Sequence, residues 1–214
     1  MSSDGVSVVT TTWKERENIQ KLIPIIRDVF KNSRHEIIVV DDGSPDDTFQ
    51  VAERLADRAV KKSREGQSKG LLYGMKLARF PIIVTIDADL ENDPKHIPRL
   101  VDKIGEFDVV VASRTELPRI SERIASEILG RMIGVKDVFS NFRAYKQEIV
   151  SNFELKGGET FGGEFLVIAK KKGAKIGEIG YESVRRKDPR IGGKVRANLR
   201  ITWALIKSMI IYLI

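Results

Sequence analysis

Ile82-Ile83-Val84-Thr85-Ile86-Asp87-Ala88-Asp89-Leu90-Glu91 is an apolar, largely β-branched run that breaks into three acids at alternate positions. A run of this length without polar alternation is the signature of a strand covered on both faces, as in a parallel sheet flanked by helices. Side chains two apart on an extended strand point the same way, so Asp87, Asp89 and Glu91 are expected to converge where the buried strand meets solvent. Three carboxylates so placed suit a hard divalent cation, Mg²⁺ or Mn²⁺, with substrate phosphate oxygens completing its shell.

The same alternation of apolar strand and helix extends in both directions. Val6 to Thr11 reads as a first strand, and residues 15–30 carry helical spacing through Ile19, Leu22, Ile23, Ile26 and Phe30. Residues 36–40 form a second strand. Ser44-Pro45-Asp46-Asp47 then reads as a capping box with proline at the first helical position, predicting a helix over 45–57. A short strand near 58–62, a helix over 68–79, the strand 81–87, a helix over 94–104 and a strand over 107–113 continue the pattern. The prediction is an α/β fold with a mostly parallel sheet. In such sheets ligands bind beyond the carboxyl ends of the strands. That rim would hold Thr11, Thr12, Trp13 and Glu15, then Asp41, Asp42 and Gly43, then the three acids, then Ser113 and Arg114.

Composition narrows the chemistry. The chain has 214 residues, 42% apolar and 31% charged, which is ordinary for a folded domain. It contains no cysteine, excluding disulfides, thiolate metal sites and a cysteine nucleophile. The two histidines, His35 and His96, lack ligand spacing, which argues against zinc. The N-terminus has no charged-then-apolar signal pattern, so the catalytic part is expected on the cytosolic side, at the cytoplasmic face of a membrane. Net charge is +7, concentrated in residues 170–200, where eleven Lys or Arg face three acids, an excess of eight. An anionic partner is expected there: phosphate, nucleic acid or an acidic membrane surface. The domain reading is 1–190 as the catalytic unit and 191–214 as a basic turn with an amphipathic helix. On that helix Arg196, Arg200 and Lys207 fall within about 40° of one another, with Trp203 near the edge of the remaining apolar face. It is too short and interrupted to span a bilayer, and suits a membrane interface, a partner subunit or the protein's own core.

Seven segments in order carry a resemblance: Thr11-Thr12-Trp13-Lys14-Glu15-Arg16-Glu17-Asn18-Ile19, Val39 to Thr48, Lys69-Gly70-Leu71-Leu72-Tyr73-Gly74-Met75, Asp87 to Pro94, Val111-Ala112-Ser113-Arg114, Asn141-Phe142-Arg143-Ala144-Tyr145, and Glu164 to Gly180. Through them the chain resembles inverting family 2 glycosyltransferases of the GT-A fold, and within these the dolichol-phosphate mannose synthases. The resemblance implies a GDP-mannose donor, a dolichyl or other polyprenyl phosphate acceptor, a divalent metal, a peripheral membrane location and no nucleic acid; a UDP-glucose donor is the alternative. By the same resemblance Thr11, Trp13, Glu15, Val40, Asp41, Asp42, Lys69, Asp87 and Ala88 would border the nucleotide sugar. Asp87, Asp89 and Glu91 would face the metal. Arg114, Arg143, Arg190 and Lys194 would hold the acceptor phosphate, with Asp87, Asp89, Arg114 and Arg143 at the reaction itself. A phosphate monoester has its second pKa near 6, so it is already anionic at neutral pH and needs cations more than a general base. A signalling receiver would place its acidic pair after the first strand, and a sugar nucleotidyltransferase would want a basic glycine-rich loop there; neither pattern is present. A non-catalytic scaffold of the same fold would have lost the acids.

Overall fold

The structure, a computed structural model, describes residues 5–151, 153–182 and 193–213. Seven strands form one sheet: β1 Val6–Thr12, β2 His35–Asp41, β3 Arg58–Lys61, β4 Ile82–Thr85, β5 Val109–Arg114, β6 Arg143–Lys146 and β7 Ile176–Tyr181. Their spatial order is β3-β2-β1-β4-β6-β5-β7. All neighbouring pairs are parallel except those of β6, which runs antiparallel to both β4 and β5. The helices are α1 Arg16–Val29, α2 Thr48–Leu55, α3 Gln67–Lys76, α4 Ile97–Lys103, α5 Ile120–Ala125, α6 Arg131–Ile133, α7 Gln147–Val150, α8 Gly163–Lys171 and α9 Gly193–Leu213.

Alternate side chains of the central strands feed two separate cores. Val8 of β1 with Ile37 and Val39 of β2 pack beneath Ile19, Leu22, Ile23 and Ile26 of α1. Val9 with Ile38 and Val40 pack on the other face with Leu71 and Met75 of α3. Both faces being covered, the strands carry no polar alternation, as the sequence pattern requires. Two glycines set how closely α3 approaches. A Cβ at Gly70 would lie 2.8 Å from Cγ2 of Thr11, and one at Gly74 would lie 2.5 Å from Cγ1 of Val9. The glycines of the 69–75 segment therefore serve helix-to-strand contact rather than a phosphate-cradling loop.

Several expected boundaries move. β4 ends at Thr85, so Asp87, Asp89 and Glu91 lie in the turn after the strand, where Leu90 takes a positive φ of 65°. The helix expected from Pro45 begins only at Thr48. Ser44 instead donates its hydroxyl to Oδ1 of Asp41 at 2.5 Å and accepts from the Lys14 amide at 3.0 Å, while Oδ1 of Asp46 accepts from the Thr48 hydroxyl at 2.6 Å. The 94–104 helix opens with a 3₁₀ turn at Pro94–His96, capped by the Asp93 side chain. β6 was not anticipated as a strand, and its direction is what brings the residues just before it to the same edge as the carboxyl ends of its neighbours.

Candidate functional site

A cavity of about 400 Å³ lies over the carboxyl ends of β1, β2, β4 and β5, where the strand order departs to either side of β1 and β4. On one side it is bordered by Thr11, Thr12, Trp13 and Glu15 following β1 and by Asp42 following β2. Its floor carries Asp87, Ala88, Asp89 and Glu91, and Arg114 stands opposite. The rim read from the sequence is thus largely assembled.

Each wall has a local cause. Asp42 is a turn anchor: its carboxylate accepts from Nζ of Lys62 at 2.6 Å and from the amides of Glu65 and Gly66 at 2.9 and 3.0 Å. Burial pushes its pKa up, but these donors outweigh it and hold the carboxyl below the ordinary range. They also fix the 62–66 segment so that Arg64 lies over the Trp13 ring, 3.7 Å from its centroid. Glu15 accepts from Nδ2 of Asn18 at 2.6 Å. Asp87 accepts from Nε2 of Gln67 at 2.5 Å. Burial, then repulsion from Asp89 and Glu91, raise Asp87 to about 7, against the pull of Arg114 and Asn141.

Five expected site residues lie elsewhere or differ in character. Val40 is wholly buried in the sheet. Asp41 is wholly buried as well, its carboxylate taken by Thr12 and by the Ser44 amide and hydroxyl. Lys69 is on α3 and pairs with Glu65 at 3.1 Å on the surface, away from the cavity. Arg143 is a core arginine with no exposed surface. Its Nη1 donates to the Gly162 carbonyl at 2.7 Å and to the Tyr145 hydroxyl at 3.2 Å, and its Nη2 to the Val138 carbonyl at 2.9 Å. It braces the loop ahead of α8 and is not presented to an acceptor. Arg114 does face the cavity, but its Nε donates to Asp137 at 2.6 Å and one Nη to Asp137 and Glu122 at 3.2 and 3.4 Å. Burial opposes its charge, yet these two carboxylates hold the proton more firmly than water does. Arg190 and the side chain of Lys194 lie outside the described residues. Asp87, Asp89 and Glu91 lie in the turn after β4 rather than on a strand, and among the described residues no three Asp, Glu, His or Cys side chains form a cation site by themselves, so a metal here would need the substrate phosphate oxygens expected from the sequence.

Other cavity residues had not been expected. Gln67 starts α3, Arg119 and Glu122 open α5, Ser140 and Asn141 precede β6, and Tyr181 ends β7 with its hydroxyl donating to Asn92. Phe161, at a positive φ of 49°, closes another side from the loop before α8. That loop is tied across the fold: Glu159 accepts from the Ser68 amide and hydroxyl at 3.1 and 2.5 Å and from the Phe161 amide at 2.9 Å. The one local cue was Arg119-x-x-Glu122, where the Glu122 carboxylate accepts from the Arg119 amide at the start of α5.

Residues 7–155 match the family model described as glycosyl transferase family 2. The chain belongs to that family. Among curated family 2 relatives it is 30% identical to dolichol-phosphate mannosyltransferase of Pyrococcus furiosus, across 82% of this chain and 55% of that one. It is 31% identical to undecaprenyl-phosphate 4-deoxy-4-formamido-L-arabinose transferase of Pseudomonas savastanoi pv. phaseolicola, across 68% and 48%. To dodecaprenyl-phosphate galacturonate synthase of Rhizobium johnstonii it is 32% identical, across 71% and 51%. The chain thus spans about half the length of these relatives. In fold it is similar to glucosyl-3-phosphoglycerate synthase of Mycobacterium tuberculosis, with a TM-score of 0.79 at 23% identity over 96% of this chain and 80% of that one. A second structure of that synthase, holding Mn²⁺, UDP and phosphoglyceric acid, aligns with a TM-score of 0.77 at 20% identity, over 96% and 78%. The mostly parallel seven-stranded sheet flanked by helices is a GT-A arrangement.

Proposed function

We propose that this protein transfers a hexose from a nucleoside diphosphate sugar to a polyprenyl phosphate, with GDP-mannose as donor, dolichyl phosphate as acceptor and GDP as the leaving group. The observation that carries the reading is a single cavity joining two unlike walls: the Trp13, Glu15 and Asp42 side, suited to a nucleoside, and a carboxylate floor of Asp87, Asp89 and Glu91. The three relatives named above carry lipid phosphates in their names, and they differ in the sugar.

The floor fits a hard divalent cation. It offers oxygen donors only, and burial, followed by repulsion from Asp89 and Glu91, raises Asp87 to about 7. One or two of these carboxylates would hold Mg²⁺ or Mn²⁺ together with diphosphate oxygens; when bound, the ion neutralises charge on the leaving nucleotide. Trp13 offers a ring to the base and Asp42 fixes the neighbouring turn. An acceptor phosphate is anionic at neutral pH, so no side chain need remove a proton from it. Its cation on the described cavity wall would be Arg119 beside Arg114, with Arg190 and Lys194 from the basic segment. Attack in line at the anomeric carbon gives inversion, and the protein works peripherally at the cytoplasmic face of a membrane.

The test is transfer by the purified chain with Mn²⁺ or Mg²⁺, radiolabelled GDP- and UDP-sugars, and polyprenyl phosphate. Labelled lipid from GDP-mannose is expected. Labelling only from a UDP-sugar would move the donor assignment, and no labelled lipid from any donor would overturn the reading.

A further inference from the structure

Four successive residues around the start of α3, 65–68, take carboxylates from three distant segments of the chain. Asp42 accepts from the amides of Glu65 and Gly66, Asp87 accepts from Nε2 of Gln67, and Glu159 accepts from the amide and hydroxyl of Ser68. The first two carboxylates border the cavity. Glu159 does not, but Phe161, two residues beyond it, does. The helix needs a partner from outside at this end, because its N-cap is Gly66, which has no side chain to offer the free amides of the first turn. Glu159 supplies that acceptor, and its charge suits the positive end of the helix. Gly66 also leaves the room for it: at a φ of 100°, a Cβ there would lie 2.7 Å from Oε2 of Glu159. Ser68, which donates twice, is buried.

The other end of this tie is the Phe161 amide, which donates to Oε1 of Glu159 at 2.9 Å. Phe161 holds a left-handed φ of 49°, a conformation that a bulky residue keeps only where its surroundings enforce it. Among the described residues three non-glycines have a positive φ: Lys14, Leu90 and Phe161. Lys14 lies between Trp13 and Glu15, and Leu90 between Asp89 and Glu91, so all three sit in or beside the cavity lining. Other contacts hold the 156–162 loop to its own side. The Glu164 carboxylate accepts from the Lys156 and Gly157 amides, and the Gly162 carbonyl accepts from Arg143. Of these ties, that of Glu159 reaches α3. The helix for its part is packed on the sheet through Leu71 and Met75, with Gly70 and Gly74 against β1. Removing Glu159 would therefore uncouple two folded parts without unfolding either.

We propose that Glu159 is a positioning residue for sugar transfer, tying the loop that carries Phe161 to the start of α3 and so fixing the Gln67 side chain that orients Asp87. The role rests on the transfer activity proposed above. Gln67 stands between the Gly66 amide, held by Asp42, and the Ser68 amide, held by Glu159, so its backbone is anchored on both sides. With Oδ1 of Asp87 taken by Gln67, that anchoring sets how the carboxylate lies on the cavity floor. The nucleoside side depends instead on Asp42 and residues 62–66, which Glu159 does not bond. Loss of Glu159 should thus slow the reaction without loosening the nucleoside.

The test compares Glu159→Ala, the isosteric Glu159→Gln and Gln67→Ala in transfer from GDP-mannose to polyprenyl phosphate, beside titration with GDP in metal-free buffer, which reads the nucleoside side alone. Glu159→Ala is expected to lower kcat about 10- to 100-fold, as a misplaced reacting group does, with GDP affinity nearly unchanged and the thermal midpoint down a few degrees, as for a lost helix cap. Glu159→Gln keeps the size, loses one accepting oxygen, and is expected to slow transfer in the same sense with a smaller shift of midpoint. The double variant Gln67→Ala with Glu159→Ala is expected to be no slower than the slower single, because both act through Asp87. A second readout needs no turnover. The side-chain amide resonances of Gln67, identified by their loss in Gln67→Ala, are expected to move toward the free-amide position in Glu159→Ala. Unmoved Gln67 resonances, wild-type kcat in both Glu159 variants, rate losses that multiply in the double variant, or a fall in GDP affinity equal to the fall in kcat would each overturn the positioning role. If the wild type transfers no sugar while the Gln67 resonances move in Glu159→Ala, the proposed activity fails and the tie from Glu159 to Gln67 stands.

Discussion

Over β1, β2 and β4 the cavity is walled by acids whose partners are mostly amides and side chains of nearby segments, whereas at the end of β5 its wall is Arg114, already met by buried acceptors, and the arginine of β6 lies behind it in the core. Asp42 is held by residues 62–66, and Asp87 by Gln67. Arg114, by contrast, is forked onto Asp137, and Arg143 is enclosed by the carbonyls of Gly162 and Val138. Formal charge in a sequence is therefore a poor guide to charge that a ligand can use. The acids after β4 crowd together and repel, so they gain from a cation; the arginines at the end of β5 and in β6 gain little from an anion, because the protein has already supplied their partners.

The sharpest way to break this contrast is on the acidic side. Asp89→Ala is expected to lower transfer by about 10²–10³-fold, the size of effect seen when one charge-stabilising group is removed from a reaction centre, with the thermal midpoint nearly unchanged. Single-turnover assays beside calorimetry would check it, and near-normal turnover would remove the metal assignment. Arg143→Met should do the reverse. Orphaning two buried carbonyls and leaving part of the guanidinium volume empty costs about 3 kcal/mol, roughly 6–12 °C in midpoint for a chain of this size. Whatever activity survives is expected to keep the wild-type acceptor KM. A specific rise in that KM at unchanged stability would return Arg143 to the acceptor site.

Much of this was legible in the sequence, and the reasons are physical. The apolar runs of β1, β2, β4 and β5 are buried on both faces, so composition alone separates them from helices. β6 was hidden because its four residues, Arg143-Ala144-Tyr145-Lys146, put a charged side chain into the core, which no local pattern announces. β7 was hidden by its glycines, Gly177 and Gly180. The nucleotide side of the rim was readable since strand ends precede it directly. Gln67, Tyr181 and Phe161 were not readable, since each arrives through pairings between distant segments, such as Glu159 to Ser68 across 91 positions.

A smaller effect tests the buried carboxylates that take no part in the rim. Glu36 accepts from the Ser7 hydroxyl at 2.6 Å and from the Arg79 amide and Nε at 2.7 and 2.8 Å. Burial raises its pKa, but these donors outweigh that and lower it overall. A folded-state pKa below the unfolded one gives stability that is present above the unfolded value, near 4.5, and is lost as pH falls through the folded value. Glu36→Gln is expected to cost about 1–2 kcal/mol at neutral pH, mostly through the hydrogen bonds, since the Arg79 side chain is largely exposed and its charge is screened. Urea titrations at successive pH values should show the deficit shrinking below about pH 4. A deficit independent of pH would place the cost in packing.

The smallest effect is expected at Lys69, and it sharpens the contrast by being near zero. Lys69 and Lys62 both pair with Glu65, at 3.1 and 3.3 Å, so by charge and partner they look equivalent. Their surroundings differ. The Lys69 side chain is 49% exposed and its carboxylate partner 42%, which places the pair among surface contacts worth a few tenths of a kcal/mol. Lys62 also reaches Asp42 at 2.6 Å, where both groups are mostly buried, and so helps fix the turn that carries Arg64 onto Trp13. Lys69→Ala should therefore leave donor affinity unchanged and the midpoint within about 1 °C. Lys62→Ala should weaken donor binding several-fold, because the turn loses the cation that holds Asp42 in place. Isothermal titration with GDP and Mn²⁺ on both variants would compare them directly. Were Lys69→Ala the one to weaken binding, the ligand would have to reach past the rim to the outer face of α3, and the boundary drawn for the cavity would be wrong.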